Sequence, residues 1–270
     1  MYGVKGRCLR KFPNNFIMKK CITITLFILV GFSACSPIYY SPNTQNVPMI
    51  STRGDMNLTL VAGSSNVNDI YNSISIIDLQ SAYGITSHLS IQVNGGFFSN
   101  KEENSDASGT GRIFETGLGY FSKINNNFML ECYGVIGFGN FNNKIEISKI
   151  GSNSIYHKIS GSLKRFGIQP VFAFKTNSFT AAISSRIVRL DYKNIEGYLL
   201  YDGADQVGLL NNNNSYYLFE PALSLKFGWE MIKFQLQYGR SFNLTNPDFR
   251  QGKDIISLGL NINLKKQNPL

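Results

Sequence analysis

From Gly54 onward, apolar and polar residues alternate one by one over stretches of about ten residues. In one such stretch Leu89, Ile91, Val93 and Phe97 fall on one side, with Ser90, Gln92 and Asn94 on the other. Near the end Ile256, Leu258, Leu260, Ile262 and Leu264 alternate with Ser257, Gly259, Asn261 and Asn263. A period of two belongs to β-strands, whose successive side chains point to opposite faces, and no long window keeps the 3.6-residue rhythm of a helix. The pattern predicts ten strands, near 54–63, 74–85, 89–98, 112–121, 128–139, 163–175, 179–191, 216–228, 232–241 and 254–265.

The predicted connections alternate in length. Brief turns at 86–88, 122–127, 176–178 and 229–231 separate longer polar stretches near 64–73, 99–111, 140–162, 192–215 and 242–253. Short periplasmic turns, long external loops and an even strand count are the habit of outer-membrane barrels. A soluble sandwich also alternates, so loop asymmetry, strand length and aromatics near strand ends decide between the two. Phe97, Phe114, Tyr120, Phe128, Phe138, Phe174, Phe227, Trp229 and Tyr238 suit the interfacial girdles of a membrane barrel. The fold class expected is all-β, an antiparallel transmembrane barrel of about ten strands over 54–266, with 267–270 as a tail lacking a terminal aromatic. Pro170 and Pro221 fall inside strands, where a missing N–H removes a ladder bond, and β-bulges are expected at both.

Ahead of the alternation the character changes. Met18-Lys19-Lys20, an apolar run from Cys21 to Val30, and Gly31-Phe32-Ser33-Ala34-Cys35 carry the charge, core and small residues of a secretory signal. The run is too short for a spanning helix, which needs about 20 apolar residues. Ser33-Ala34-Cys35 also resembles a bacterial lipobox, in which the cysteine is acylated and becomes the new N-terminus. Phe32 stands where that motif usually has Leu. The expected organisation is a signal peptide at 1–34, with Met18 as a possible true start, then a lipid anchor at Cys35 and an extended tether to 53, rich in Pro and Asn.

Composition changes the charge picture. The chain carries +9, but six of its 26 Lys and Arg precede Cys35; the remaining 20 face 17 Asp and Glu, a net +3 with no basic block for a nucleic acid. Cys8 and Cys21 precede the cut, leaving Cys35 and Cys132, so no disulfide is expected. The polar strand faces carry Asp78, Glu115, Glu131 and Glu220 against Arg165, Arg186, Lys226 and Lys233. Charges withdrawn from water are costly unless paired, which predicts salt bridges across a narrow, largely plugged lumen.

Candidate chemistry is sparse. Of the two histidines, His88 falls in a short turn and His157 in a long external loop, with Glu146 nearby but no acid and histidine pairs beside it. No Gly-x-Ser-x-Gly elbow, phosphate-binding glycine loop or metal cluster is found, and Asp202-Gly203-Ala204-Asp205 lacks the ordered ligands of a calcium loop. Neither catalysis nor a cofactor or metal is expected.

Cys35, Tyr40-Ser41-Pro42 with Asn46-Val47-Pro48, the stretch Asp78 to Tyr83 and Phe219-Glu220-Pro221-Ala222 together resemble a group of small outer-membrane barrel lipoproteins of Bacteroidota. The resemblance implies fold and location, and no assigned chemistry. Surface export of lipoproteins in those bacteria is associated with acidic residues soon after the cysteine; Ser36 to Tyr40 has none, implying a periplasm-facing anchor with both termini periplasmic. The function expected is non-enzymatic: envelope structure or binding of a surface ligand through long external loops rich in Asn, Ser and Tyr. A narrow polar pore or transporter is the alternative, and an outer-rim hydrolase a distant third. Expected partners are outer-membrane lipid and, during biogenesis, the barrel-assembly and lipoprotein-sorting machinery.

Overall fold

The computed structural model describes residues 37–66, 73–101, 108–150, 153–201 and 203–265. The signal segment, Cys35 and the tail 267–270 lie outside them. In chain order the elements are β1 (Met56–Asn66), β2 (Ser73–Gly84), β3 (Leu89–Lys101), β4 (Ser108–Lys123), β5 (Phe128–Ile150), β6 (Asn153–Lys175) and β7 (Phe179–Tyr198). A two-residue hairpin follows, β8 (Leu200–Tyr201) and β9 (Ala204–Asp205), then helix α1 (Gln206–Asn212). The chain continues through β10 (Ser215–Gly228), β11 (Ile232–Arg240), β12 (Phe242–Asn243) and β13 (Asp254–Leu264).

Ten long strands pair antiparallel with their sequence neighbours, and the sheet closes where β13 meets β1 through Met56↔Leu264 to Ser65↔Ile255. Short β12 pairs with β10 above β11. Closure leaves no long edge unpaired, which backbone polar groups in hydrocarbon require. The faces are inverted relative to a soluble protein. Leu258, Ile183 and Phe114 are 66%, 64% and 55% exposed, whereas Arg165, Gln92 and Asn57 are 0%, 0% and 1% exposed. An apolar exterior around a polar interior is the arrangement of a membrane-spanning barrel.

Two expectations change. Pairing keeps one register through both prolines, so there is no bulge at either. The ladder merely skips Gln169 and Pro170 on the β7 side, and skips Glu220 and Pro221 between the β11 and β12 pairings. An N–H in an antiparallel strand serves one neighbour, so a proline costs one ladder bond without demanding an extra residue. Register shifts occur instead at Glu146/Ser148 between β5 and β6 and at Ser160/Ser162 between β6 and β7. At the second, β7 carries the extra residue, and Asn194 adopts φ 51°. The expected loop at 140–162 is mostly sheet, because β5 and β6 continue pairing to Ile150↔Asn153.

The larger change concerns the tether. Residues 37–50 belong to no strand or helix, Met49 turns the backbone at φ 58°, and every one of them is buried, inside the barrel rather than outside it.

Candidate functional site: the threaded lumen

The direction of the thread follows from its contacts. Its first residues meet the long connections: Tyr39 N–H donates to Arg250 O (3.2 Å), Tyr39 Oη to Gln206 Oε1 (2.9 Å), and Gly252 N–H to Tyr40 O (2.9 Å). Its last residues meet the short turns. There Lys175 Nζ, beside the 176–178 turn, donates to Met49 O (2.7 Å) and Ser51 Oγ (3.2 Å), and Gly54 N–H donates to Gly84 O (2.8 Å) ahead of the 86–88 turn. The thread therefore runs from the long-loop mouth to the short-turn mouth.

Its composition matches the three zones it crosses. Ile38, Tyr39 and Tyr40 join an aromatic stopper at the long-loop end, where Tyr39 lies 5.5 Å from Phe141, and Tyr216 stacks on Phe249 at 4.0 Å. Pro42 to Asn46 cross the charged middle. Val47 and Met49 pack with Met129, Val171, Ala173 and Ala182, and Ile50 with Ala82 and Phe121, near the short-turn end.

Asn43 organises the middle. Its Oδ1 accepts from Arg165 Nη1 (2.7 Å) and Arg186 Nη1 (3.0 Å), its Nδ2 donates to Glu115 Oε2 (2.7 Å), and its carbonyl accepts from Arg186 Nη2 (2.8 Å). Around it Arg165 pairs with Glu115 (3.2 Å) and Glu220 (3.0 Å), and Arg186 pairs with Glu220 (2.9 Å). Tyr40 Oη donates to Glu220 Oε1 (2.8 Å), and its ring lies under the Arg165 guanidinium at 5.6 Å. Breaking one partner out of such a buried cluster costs about 3–5 kcal/mol, because it strands a charge away from water.

All eight lumen residues named from the sequence are buried, and they do not form one network. Glu115, Glu220, Arg165 and Arg186 meet one another. Three others bind the thread instead. Asp78 Oδ2 accepts from Thr44 N–H (2.7 Å) and the Thr44 hydroxyl, Glu131 Oε1 accepts from Ile50 N–H (3.0 Å), and Lys226 Nζ donates to Val47 O (2.7 Å). Lys233 reaches Thr176 O (3.0 Å) and Thr180 Oγ1 (3.2 Å) at the short-turn mouth. Sequence reasoning missed the thread's own polar residues, Asn43, Thr44, Gln45 and Asn46. Gln45 N–H and carbonyl both bond the Gln237 amide (2.7 and 2.9 Å), and Gln169 Nε2 donates to Asn46 O (2.6 Å). Their density between Tyr40 and Val47 is the one signal that distinguished them from an ordinary linker.

No family model matches this chain. No curated protein matches it either. Solved structures resemble it in fold. The translocator domain of the autotransporter NalP from Neisseria meningitidis is 10% identical, with a TM-score of 0.43 over 81% of this chain and 90% of that one. The outer membrane protease OmpT from Escherichia coli is 10% identical, with a TM-score of 0.46 over 82% and 99%. An outer membrane channel from Pseudomonas putida F1 is 11% identical, with a TM-score of 0.42 over 83% and 100%.

At the two mouths the remaining candidates fall as follows. His88 stacks on Tyr120 (5.8 Å) in a short turn. His157 Nδ1 accepts from Leu200 N–H (3.4 Å), and its ring meets Tyr198. Neither contacts a carboxylate among the described residues. Asp205 caps α1 by accepting from Val207 N–H (3.0 Å). Cys132 is exposed on the outer face of β5. At the short-turn end a hollow of about 720 Å³ gathers Lys123, Lys175, Lys233 and Lys265 with Asp55 and Glu230. There the Lys265 ammonium holds the Glu230 carboxyl below its ordinary range.

Proposed function

We propose that this chain is a non-enzymatic outer-membrane lipoprotein, a barrel sealed by its own N-terminal segment, which acts in envelope structure or in contacting a partner through its long connections. The observation that carries the reading is the burial of every residue from 37 to 50 within the lumen, bonded to the wall along its whole length. A pore needs a continuous polar path, and the thread occupies it with aromatic packing at one mouth and an apolar cluster near the other.

Orientation follows from the loops. Short turns face the periplasm in barrels of this kind, so the long connections face outward. Pro37 then sits at the outer mouth, and two residues of chain reach about 7 Å at most. An acylated Cys35 inserts its chains into the outer leaflet, since the apolar band between Pro37 and the periplasmic side is about 25 Å tall. It differs from the periplasm-facing anchor that the resemblance implied from Ser36 to Tyr40. Barrel-assembly and lipoprotein-sorting machinery would both act in its biogenesis.

Conductance tests the sealed lumen. Full-length protein purified from the outer membrane and reconstituted in planar bilayers is expected to show no steady ohmic current. A stable open level would overturn the sealed-barrel reading in favour of a pore.

A further inference from the structure

Two hollows lie on the outer wall of the same strands, one above the other. The upper, about 530 Å³, sits at the long-loop edge of the apolar belt, where Arg112, Asn140, Asn142, Ser160 and Ser162 share its lining with the rings of Phe97 and Phe141. A cross-strand row runs through it, Phe97↔Arg112↔Asn140↔Ser162, with a cation on β4 followed by amide and hydroxyl groups, and Lys193 on β7 continues the row beyond the lining. Asn194, at φ 51° in the register shift, and Glu196 close its far side. Arg112 has no carboxylate partner among the described residues; its guanidinium faces the Asn140 amide, whose oxygen accepts at 3.1 and 3.3 Å when turned toward it.

The lower hollow, about 650 Å³, is a dent in the apolar belt lined by Leu118, Ile136, Phe166, Ile168 and Ile187. Gly134 forms part of its floor. A side chain there would project into open space, with Leu118 O the nearest atom at 4.0 Å. Four residues separate Asn140 from Ile136 and Ser162 from Phe166, so the hollows are centred about 13 Å apart along the strands. Arg112, Lys164, Arg189 and Arg240 are each the first outward polar residue beyond the apolar run of their strand; Arg189 and Arg240 pair with Asp191 (2.9 Å) and Asp254 (3.7 Å), which leaves the positive charge of this edge at Arg112 and Lys164.

We propose that this face of β4 to β7 holds one phosphorylated glycolipid of the outer leaflet, its headgroup in the upper groove and an acyl chain in the Gly134 dent. The inference rests on the outer-membrane placement proposed above. A guanidinium beside hydroxyl and amide groups matches a sugar phosphate, with Glu196 available to accept from sugar hydroxyls. A dent adjoining it inside the belt matches the rest of an amphiphile, and a free sugar or phosphate would leave the dent unused.

The test is a titration of full-length barrel in detergent micelles with diphosphoryl lipid A, read by native mass spectrometry. Phosphatidylcholine and inorganic phosphate serve as comparison ligands, and heat-modifiable gel migration reports the fold. One lipid A should be retained in preference to phosphatidylcholine. Arg112→Gln should weaken retention about tenfold, the worth of one hydrogen bond to a charged group. Gly134→Leu, which fills the dent without touching the upper groove, should weaken it independently. Equal retention of phosphatidylcholine, unchanged retention by both variants, or inorganic phosphate binding as tightly as lipid A would each overturn the proposal. A barrel that keeps heat-modifiable migration yet takes up no lipid A overturns this site and leaves the sealed-barrel reading standing; loss of that migration in the unmutated protein would instead count against the barrel reading itself.

Discussion

Replacing Asn43 with Ala would separate the seating of the thread from the stability of the barrel. The substitution removes an acceptor shared by Arg165 and Arg186 and a donor to Glu115, three hydrogen bonds to charged groups in a site where Asn43 is 5% exposed. Such bonds contribute about 1.5–3 kcal/mol each when lost singly. The bond from Arg186 to the Asn43 carbonyl survives the change, and the Arg165–Glu115 and Arg186–Glu220 pairs still hold the charges. Water entering the vacated space offsets part of the rest, so a net cost of about 3 kcal/mol is expected. Opening of the thread should rise about a hundredfold, a decade for each 1.4 kcal/mol. Hydrogen exchange followed by mass spectrometry on peptides covering 38–50 measures this directly, with peptides from β1 and β13 as the internal reference. Faster exchange in the thread alone is the expected result. Unchanged exchange would refute the role given to Asn43, and equal acceleration of thread and strands would show that the two open as one unit.

Two further outcomes follow from the geometry. An epitope inserted between Ser36 and Pro37 should be detected by antibody on intact cells, since Pro37 lies at the long-loop mouth; detection only after permeabilisation would reverse the polarity given to the thread. Gly119→Ala should destabilise the barrel by about 1–3 kcal/mol, because its Cβ would fall 2.2 Å from the Tyr133 ring, which is fully buried and hydrogen-bonded to Ser90 at 2.8 Å. Thermal unfolding measured by gel migration would show a lowered midpoint, and an unshifted midpoint would mean that the ring has room to yield.

What the sequence determined was everything governed by near neighbours. Alternation assigned the ten strands, and a strand alternates whatever it pairs with, so Leu258 faces outward and Ser257 inward by local geometry alone. The same alternation sent Asp78, Glu115, Glu131, Glu220, Arg165, Arg186, Lys226 and Lys233 into the interior. Tertiary structure decided which charges meet. Glu115 and Arg165 lie on strands separated by β5 and meet along the wall over Gly137, which pairs with both, while Glu131 is drawn to the backbone N–H of Ile50. It also decided where bulges fall, because a proline's missing N–H matters only in relation to the neighbour it would have served. Above all it decided the fate of residues 37–50. Nothing periodic marks them, and read alone they suit a solvated tether. Their Asn, Thr and Gln side chains find partners only once ten strands have closed around them, and those partners lie between 34 and 175 residues away in the chain.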